Sequence, residues 1–444
     1  MNPRSAFSPA VVLMGRLKFT TKMLLIAVIF AIPLAVALAL LVKESGRWVE
    51  FTEKERRGVE YIIPLPRLLQ GIPQHRGMAA AYLGGDASFR EKLTVLEAEI
   101  SEAIQAVDAV DRRHGGNFGT RAQWDAIKGR WQALQQRYTG MTPLESFDAH
   151  SELVGEVIAL ATSVADGSNL TFDPQPDSYY LIDLILRKSA YLAEYMGRAR
   201  ALGSGAAAAK SLSDAARQRI GVIPGQIRLS LNDIRADAEK IAAANPALKP
   251  AVEGIGSEII ASGERFLKVL DERIINAGQI DIAPAAYFDL ATKAIAPNFK
   301  AVGALMPLLD RMLQERIDAR NRQIDLLLAG VLVMFLLVAY FFAAFYLSLM
   351  KTIGEMERSS RRIAGGDLTE RMAVAGRDEL ARLAACFNHM VENFGTLLTQ
   401  VKTTVEKVSE AAPALYAAST QISRSSHGQS EAAAATSAAV EEMT

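Results

Sequence analysis

The chain has 444 residues, 50% of them hydrophobic, and its 49 basic and 49 acidic residues give a formal net charge of zero. A protein that holds nucleic acid through its phosphates carries an excess of Lys and Arg, so the charge indicates no nucleic-acid partner. The large share of polar residues also argues against a polytopic transporter, which consists mainly of membrane spans.

Two long apolar segments are the clearest signal in the sequence. Residues 23–42 and 326–350 contain no charged residue. A helix of about 20 apolar residues crosses a hydrocarbon core of about 30 Å. We therefore predict transmembrane helices at 23–43 and 326–350, which enclose a polar domain at 44–325.

The orientation follows from the tail at 1–22. This tail has no acidic residue and four basic residues, Arg4, Arg16, Lys18 and Lys22. The positive-inside rule keeps such a tail in the cytoplasm, so both termini are predicted to be cytoplasmic, and 44–325 is predicted to be periplasmic, in a protein of the inner (cell) membrane. The alternative, a cleaved signal peptide, has a shorter apolar core than this one.

The periplasmic segment has a helical pattern almost throughout, and we predict an all-α fold. Apolar residues recur at three and four spacing, and no window alternates long enough to indicate a strand. About eight helices, more than one four-helix bundle holds, favour two stacked four-helix bundles. Helix breaks are expected at Gly84-Gly85, Gly115-Gly116, Gly140, Asp173-Pro174, Gly203 to Gly205 and near Pro284. The only cysteine, Cys386, follows the second span, so this domain has no disulfide.

Two arginine stretches are candidates for ligand binding. Residues 74–85 place Arg76 among small residues, and 197–205 do the same for Arg198 and Arg200. An arginine on a small-residue helix face can offer a forked donor to a carboxylate or a nitrate-like anion. The two stretches resemble the arginine-glycine signature of nitrate- and nitrite-sensing helical domains. The alternative is that these arginines pair with helix-face acids such as Glu194.

The segment 173–180, Asp-Pro-Gln-Pro-Asp-Ser-Tyr-Tyr, opens a helix after a proline break. Asp177 or Ser178 is predicted to cap that helix. The segment is similar to one that recurs in two-bundle bacterial sensors. A second interpretation is that Tyr179 lines a ligand pocket.

The segment 351–403 resembles a HAMP domain. The residues that carry the resemblance are Gly366, Asp367, Leu368, Asp378, Glu379, Leu380, Phe387, Asn388 and Met390. The resemblance implies two short parallel helices per chain that pack as a four-helix coiled coil in a homodimer. Leu368 and Val374 are the connector residues expected to dock on this bundle. Gly366 allows the chain to leave the first helix with a positive φ.

The segment 404–444 repeats small or apolar residues at three and four spacing, which is typical of closely packed long helices. Pro413 is expected to kink the helix. The sequence Ser437-Ala438-x-x-Glu441-Glu442 resembles the modified site of methyl-accepting chemotaxis proteins, in which Glu442, and next Glu441, would be esterified. The alternative is a solvated acidic pair.

Together these features predict a bacterial chemoreceptor that senses a small molecule or anion outside the cell. The resemblance implies a receptor methyltransferase and a methylesterase as partners. A histidine kinase and a coupling protein join them only if the hairpin tip is present, and the chain stops at Thr444, before that hairpin. No catalytic residue, cofactor or metal site is predicted. The alternatives are the sensor half of a membrane histidine kinase or nucleotide cyclase, and a membrane-anchored scaffold.

Overall fold

The structure, a computed structural model, describes residues 7–374 and 376–443. Arg4 and Thr444 therefore lie outside the described residues. Within them the chain forms α-helices with short 3₁₀ and π turns and no strand, so the predicted all-α class is confirmed. Contacts divide the chain into two compact units, Met1–Leu327 and Leu328–Thr444. The α-helices, in chain order, are α1 (Ser8–Arg16), α2 (Phe19–Ile62), α3 (Leu65–Leu83), α4 (Phe89–Phe118), α5 (Arg121–Arg137), α6 (Pro143–Gly167), α7 (Pro176–Asp183), α8 (Ser189–Ala209), α9 (Asp214–Gly221), α10 (Ile223–Ala244), α11 (Lys249–Leu270), α12 (Pro284–Ala364) and α13 (Glu379–Glu441).

The long helices α2 and α12 contain the two predicted spans. The most apolar 18-residue window of each helix has no buried residue. Phe30 in α2 and Phe335 in α12 are examples of large side chains that are more than half exposed. Leaving so much apolar surface in water is unfavourable, whereas lipid solvates it. Both helices are therefore candidate transmembrane helices, as the sequence predicted.

The sensor segment packs around one continuous hydrophobic core. Helix α3 packs against α4, α6 and α8, while α10 packs against α7, α8 and α11. Trp124 and Trp131 share the buried face of α5, as their spacing of seven predicts. Helix α8 belongs to both groups of contacts, so it joins the two halves of the core.

Helices α7 and α8 form one uninterrupted helical segment through a π turn at Leu184–Lys188. A second π turn, Asp271–Ile275, follows α11 directly. A π turn inserts one extra residue into a helix and is costly enough that it is rare. The first of these turns lies just before the helix that carries Glu194, Arg198 and Arg200.

Two of the predicted helix breaks are wrong, because the glycines involved serve close packing. Helix α8 runs through Gly203, where a Cβ atom would lie 2.3 Å from the Tyr287 ring. Helix α4 runs through Gly115 and ends at Phe118. Gly119 follows with a φ of 73°, the left-handed conformation that glycine favours. The breaks at Gly84-Gly85, Gly140, Asp173-Pro174 and Pro284 are confirmed.

The predicted cap of α7 is also wrong. The helix begins at Pro176, its N-cap residue is Gln175, and no side chain caps it. The Asp173 carboxylate instead accepts a hydrogen bond from the Gln175 backbone N–H (2.8 Å), and Asp177 lies one residue inside the helix. There the Asp177 carboxylate is next to the positive end of the helix dipole.

In the second unit the features of the HAMP resemblance are present. Gly366 has a φ of 98°, and the Asp378 side chain accepts a hydrogen bond from Ala381 N as the N-cap of α13. The Asn388 side-chain amide accepts from Met372 N (2.8 Å) and donates to Met372 O (3.1 Å), which fixes the connector. Met372 is buried, whereas the predicted docking residues Leu368 and Val374 are only half-buried.

Helix α13 leaves its apolar residues uncovered within a single chain. It continues through Pro413 to Glu441 without a break. Only Ala384 and Val391 are buried along it. The large hydrophobic residues that remain exposed include Leu383, Met390, Phe394, Val401, Val405, Val408, Leu415 and Ile422.

A buried acid, Glu55, lies between α2 and α12. Its Oε2 atom is 3.5 Å from Arg316 Nη1, and the same nitrogen is 3.3 Å from Asp173 Oδ1. Neither oxygen of Glu55 has a hydrogen-bond donor within the described residues. Burial, and then the charge of Asp173, raise the pKa of Glu55 to about 8. Glu55 is therefore mainly neutral at pH 7 in the folded protein.

The Glu55→Gln substitution should stabilise the sensor at pH 8 and have little effect at pH 5. The folded-state pKa lies above the ordinary value of 4.5, so wild-type stability is lost as the pH rises from about 4.5 through 8. We expect a gain of about 1–3 kcal/mol at pH 8, because Gln replaces an ion that is costly to bury. Thermal melting of the full chain in nanodiscs, followed by tryptophan fluorescence, measures it. The control is Glu53→Gln on the exposed face of the same helix, and an equal gain at both pH values would contradict the assignment.

Candidate functional site

The candidate site is built on the close contact between α3 and α8. Arg76 on α3 is fully buried and forms a forked ion pair with Glu194 on α8. Arg76 Nη1 donates to Glu194 Oε1 (2.7 Å), and Nη2 donates to Glu194 Oε2 (3.0 Å). Nη1 also donates to Ser151 Oγ (2.9 Å), and the guanidinium carbon is 5.4 Å from the centre of the Phe147 ring. Arg76 thus has the acidic partner that the alternative interpretation gave it.

Arg198 binds the same carboxylate from the side. Its Nε donates to Glu194 Oε1 at 2.6 Å, one helical turn along α8. The Arg198 side chain is about a third exposed, so it shields the pair from water only in part. Two guanidinium groups therefore share one carboxylate, and the group of three carries a net positive charge.

Arg200 differs from the other two arginines because it has no acidic partner. No carboxylate among the described residues lies within 4 Å of it, although it is only 2% exposed. Its Nη1 donates to Thr292 Oγ1 (2.9 Å), its guanidinium carbon is 4.9 Å from the centre of the Phe288 ring, and its Nε has no acceptor. Burial, and next the charge of Arg76, lower the pKa of Arg200 to about 9. A depressed guanidinium pKa is the mark of a buried cation that lacks an anion.

A cavity of about 30 Å³ lies against Arg200. On the order of 10–15 Å³ holds one water molecule, so this space has room for about two or three. Polar groups reach it from α3 and α12, and apolar side chains close it. Its lining residues are Leu69, Gln70, Pro73, Gln74, Ala193, Arg200, Thr292, Ile295, Ala296 and Phe299.

A buried polar chain lies next to Arg76. His150 Nδ1 is 2.6 Å from the Ser146 carbonyl oxygen, and His150 Nε2 is 2.8 Å from His75 Nδ1. His75 Nε2 in turn is 3.2 Å from Glu97 Oε1. Both histidines are fully buried. We name Ser146, His150, His75 and Glu97 the histidine relay.

The histidine relay needs one proton more than two neutral imidazoles provide. Each of its three contacts must hold a proton between two heavy atoms, and each neutral ring brings one. The third proton is on His75 beside an ionised Glu97, or on Glu97 itself. The hydrogen bond with His75 lowers the pKa of Glu97, which favours the ionised carboxylate. Burial, and then the charge of His75, lower the pKa of His150 well below its ordinary value, so His150 is the neutral ring.

The other predicted site residues lie apart from this cluster. Tyr179 is 42% exposed on α7, and its ring lies 5.3 Å from that of Tyr180. Glu441 and Glu442 are exposed at the end of α13. Sequence reasoning missed the polar groups that complete the site, because they come from distant segments: Gln70, Gln74, His75, Glu97, His150 and Thr292. The one signal available in the sequence was that His75 directly precedes Arg76.

Comparison with known families identifies the domain that contains this cluster. Residues 67–297, just over half of the chain, match the family described as nitrate and nitrite sensing. The chain belongs to the nitrate- and nitrite-sensing family. Its matched region includes the arginines, Glu194 and the histidine relay, and it agrees with the resemblance of the two arginine stretches. Residues 344–396 match the HAMP domain, which confirms the second resemblance.

Two characterised relatives are methyl-accepting chemotaxis proteins. The chain is 29% identical over 98 residues to McpA of Bacillus subtilis strain 168. It is 43% identical over 58 residues to PscA of Pseudomonas syringae pv. tomato strain DC3000. These alignments cover 22% and 13% of this chain but only 14% and 9% of the relatives. The chain is therefore chemoreceptor-like in part of its length and spans only a small part of these relatives.

A solved structure, that of the NasR transcription antiterminator, aligns with 81% of this chain and 98% of its own chain. The TM-score is 0.47 and the sequence identity is 16%. The domain content of the chain therefore rests on the two family matches. Those matches put a sensing domain and a HAMP domain on one chain with two candidate transmembrane helices.

Glu97→Gln tests the proton count in the histidine relay. Gln can donate an N–H to a neutral His75, so the fold should survive, but the charge-assisted bond is lost. We expect a loss of about 1–2 kcal/mol at pH 7 and a smaller loss at pH 4. The pKa of Glu97 in the folded protein lies below its ordinary value of 4.5, so the contribution of Glu97 to stability is complete above pH 4.5. That contribution is lost as the pH falls through the folded-state pKa.

Melting curves of the nanodisc-embedded chain at both pH values give this result. Glu99→Gln, which changes an exposed glutamate on the same helix, is the control and should change little. A loss of the same size at pH 7 and pH 4 would show that Glu97 has no ionic partner in the folded protein.

Proposed function

We propose that the protein is a transmembrane signal transducer that senses nitrate or nitrite outside the cell through Arg200. The observation that carries the proposal is a fully buried guanidinium with no acidic partner, next to a cavity of about 30 Å³. An anion in that cavity would supply the missing charge. Membership in the nitrate- and nitrite-sensing family supports the same class of ligand.

The chemistry of the cavity suits a small oxyanion. Nitrate and nitrite accept hydrogen bonds through oxygen atoms and have a single charge, so one guanidinium satisfies them. Gln70 and Gln74 are further polar residues of the cavity lining. The Thr292 hydroxyl donates to the Phe288 carbonyl oxygen and accepts from Arg200, so it positions the guanidinium. Arg76 stays bound to Glu194 and adds positive potential nearby, which favours an anion at Arg200.

Arg200→Met should remove nitrate binding while it stabilises the unliganded protein. A hydrogen bond to a charged group contributes about 1.5–3 kcal/mol, so the affinity should fall at least tenfold. The melting temperature without nitrate should rise, because Met removes a buried charge that has no partner. Arg200→Lys keeps the charge without the fork and should weaken binding less.

Isothermal titration of the nanodisc-embedded chain with sodium nitrate measures these affinities, and sodium chloride at equal ionic strength is the salt control. Arg235→Met, an exposed position on α10, is the matched control and should bind nitrate as the wild type does. Unchanged nitrate affinity in Arg200→Met would rule out this site.

The signal path we propose follows α12. This helix supplies Phe288 and Thr292 to the site and is one helix from Pro284 to Ala364, through the second candidate span. Ligand contacts that favour one packing of α3, α8 and α12 would shift α12 by on the order of 1–2 Å, as at other helix interfaces. The tail at 1–22 and the HAMP domain are then cytoplasmic, and 44–325 faces outward.

The proposed output is a homodimeric bundle that begins with HAMP. Exposed apolar residues such as Leu383, Met390 and Phe394 need a second copy to be covered, as coiled coils provide. Similarity to two methyl-accepting chemotaxis proteins supports a receptor methyltransferase and a methylesterase as partners. A histidine kinase and a coupling protein would act through a hairpin tip. We propose no catalytic activity for the chain itself.

Glu442→Gln should abolish most methyl incorporation by a receptor methyltransferase, and Glu441→Gln should reduce it less. Esterification removes a negative charge from an exposed helix flank, and Gln cannot form the ester. Transfer of a labelled methyl group to the purified full chain measures the reaction. The control is Glu431→Gln on the same helix, and equal labelling of all three variants would contradict the assignment.

A further inference from the structure

An open cleft of about 820 Å³ lies between α2 and α12, in the part of each helix just outside its apolar segment. The start of α7 and Asn245 close its other sides, so the proline segment singled out in the sequence forms one wall. The volume falls in the range of about 300–1,000 Å³ that small-molecule sites occupy. The lining residues are Trp48, Val49, Phe51, Thr52, Pro174, Gln175, Asp177, Asn245, Met312, Glu315, Arg316, Ile317, Ala319, Arg320 and Gln323.

Two arginines face the cleft with unused donors. Arg316 binds Asp173 (3.3 Å) and Ser178 Oγ (2.6 Å), but its Nε has no acceptor. Arg320 has no carboxylate within 4 Å among the described residues, and its Nε is likewise buried without an acceptor. Arg320 Nη1 donates only a long hydrogen bond, of 3.5 Å, to Gln323 Oε1. Arg320 is therefore suited to bind a carboxylate of a ligand.

Acids without a cation line the same cleft. Asp177 accepts hydrogen bonds from Asn245 Nδ2 (3.0 Å) and from Ser178 N (2.9 Å), and both donors are neutral. Neither Asp177 nor Glu315 has a Lys, Arg or His nitrogen within 4 Å in the described part of the chain. These carboxylates offer what an ammonium group requires, three acceptors and a negative charge.

Apolar side chains complete the lining. Trp48 is 45% exposed, and its ring lies 6.0 Å from that of Phe51 on the same helix. Met312 on α12 adds a flexible apolar surface. The cleft thus combines a free guanidinium, free carboxylates and an aromatic surface.

We propose that this cleft binds a free α-amino acid with an apolar side chain, as a second input beside the anion site. Arg320 would hold the α-carboxylate, Asp177 or Glu315 the α-ammonium, and Trp48, Phe51 and Met312 the side chain. A ligand with one charge would leave the group of opposite sign unpaired. No residue of this lining lines the Arg200 cavity, so the two sites are separate.

Ligand in the cleft would act directly on the two helices that enter the membrane. Its walls include Trp48 and Thr52 of α2 and Arg316 and Arg320 of α12. Both helices continue from these residues into the candidate spans. A ligand that bridges them favours one spacing of the pair, whereas nitrate at Arg200 acts on α12 from farther along the chain.

Calorimetric titration of the full chain in nanodiscs with leucine, methionine and phenylalanine tests the proposal. We expect at least one of the three to bind with a dissociation constant below about 1 mM. Its decarboxylated amine and its deaminated acid should each bind at least tenfold more weakly. Equal binding by either analogue, or no binding by any of the three amino acids, would overturn the proposal.

Variants separate this site from the anion site. Arg320→Gln should weaken the amino acid at least tenfold at an unchanged melting temperature, and Arg320→Lys should restore part of the affinity. Arg322→Gln, an exposed arginine outside the lining, should change nothing. Arg200→Met should lose nitrate and keep the amino acid. Unchanged amino-acid affinity in Arg320→Gln would show that the cleft is not the site.

Discussion

The contact between α3 and α8 is the constraint on which the sensing domain depends. A Cβ atom on Gly77 would lie 2.9 Å from the Phe288 ring, and one on Gly197 would lie 3.0 Å from Arg76 Nη2. The absence of these side chains lets long arginine side chains fill the interface between helices. Arg76 can therefore reach Glu194 on the facing helix, and Arg200 can lie almost fully buried in the same region.

This arrangement leaves more positive than negative charge at the interface between α3 and α8. Arg76 and Arg198 both bind Glu194, whereas the buried Arg200 has no carboxylate within 4 Å among the described residues. Burying a guanidinium without a partner opposes folding, and the large continuous apolar core offsets that cost. The instability is local, so an anion that relieves it changes the stability of the same interface. In the function proposed above, affinity and conformational change would have one origin, the uncompensated charge of Arg200.

Sequence patterns predicted the features that depend on local chemistry. The length of the two uncharged segments predicted the candidate spans. The residues around Gly366 and Asn388 predicted the HAMP domain, in which Gly366 has a positive φ and Asn388 binds the backbone of the connector. The predicted helix breaks at glycines in α4 and α8 were wrong. A glycine can end a helix or make room for the side chain of another segment, and the sequence alone does not show which segment packs against it. Tyr287, the partner of Gly203, is 84 positions away in the chain. For the same reason the sequence put three arginines in one class, and only the fold separates Arg200 from the two that bind Glu194.

The π turn at Leu184–Lys188 has a consequence for the direction of Glu194 and Arg200. One surplus residue rotates everything beyond it by roughly 100° about the helix axis relative to an uninterrupted α-helix. Glu194, Arg198 and Arg200 all lie beyond this turn, so the directions of their side chains depend on it. If the π turn formed farther along α8, beyond these side chains, they would rotate together about the helix axis. The direction of the polar face of α8 is therefore set by a turn that lies outside the site.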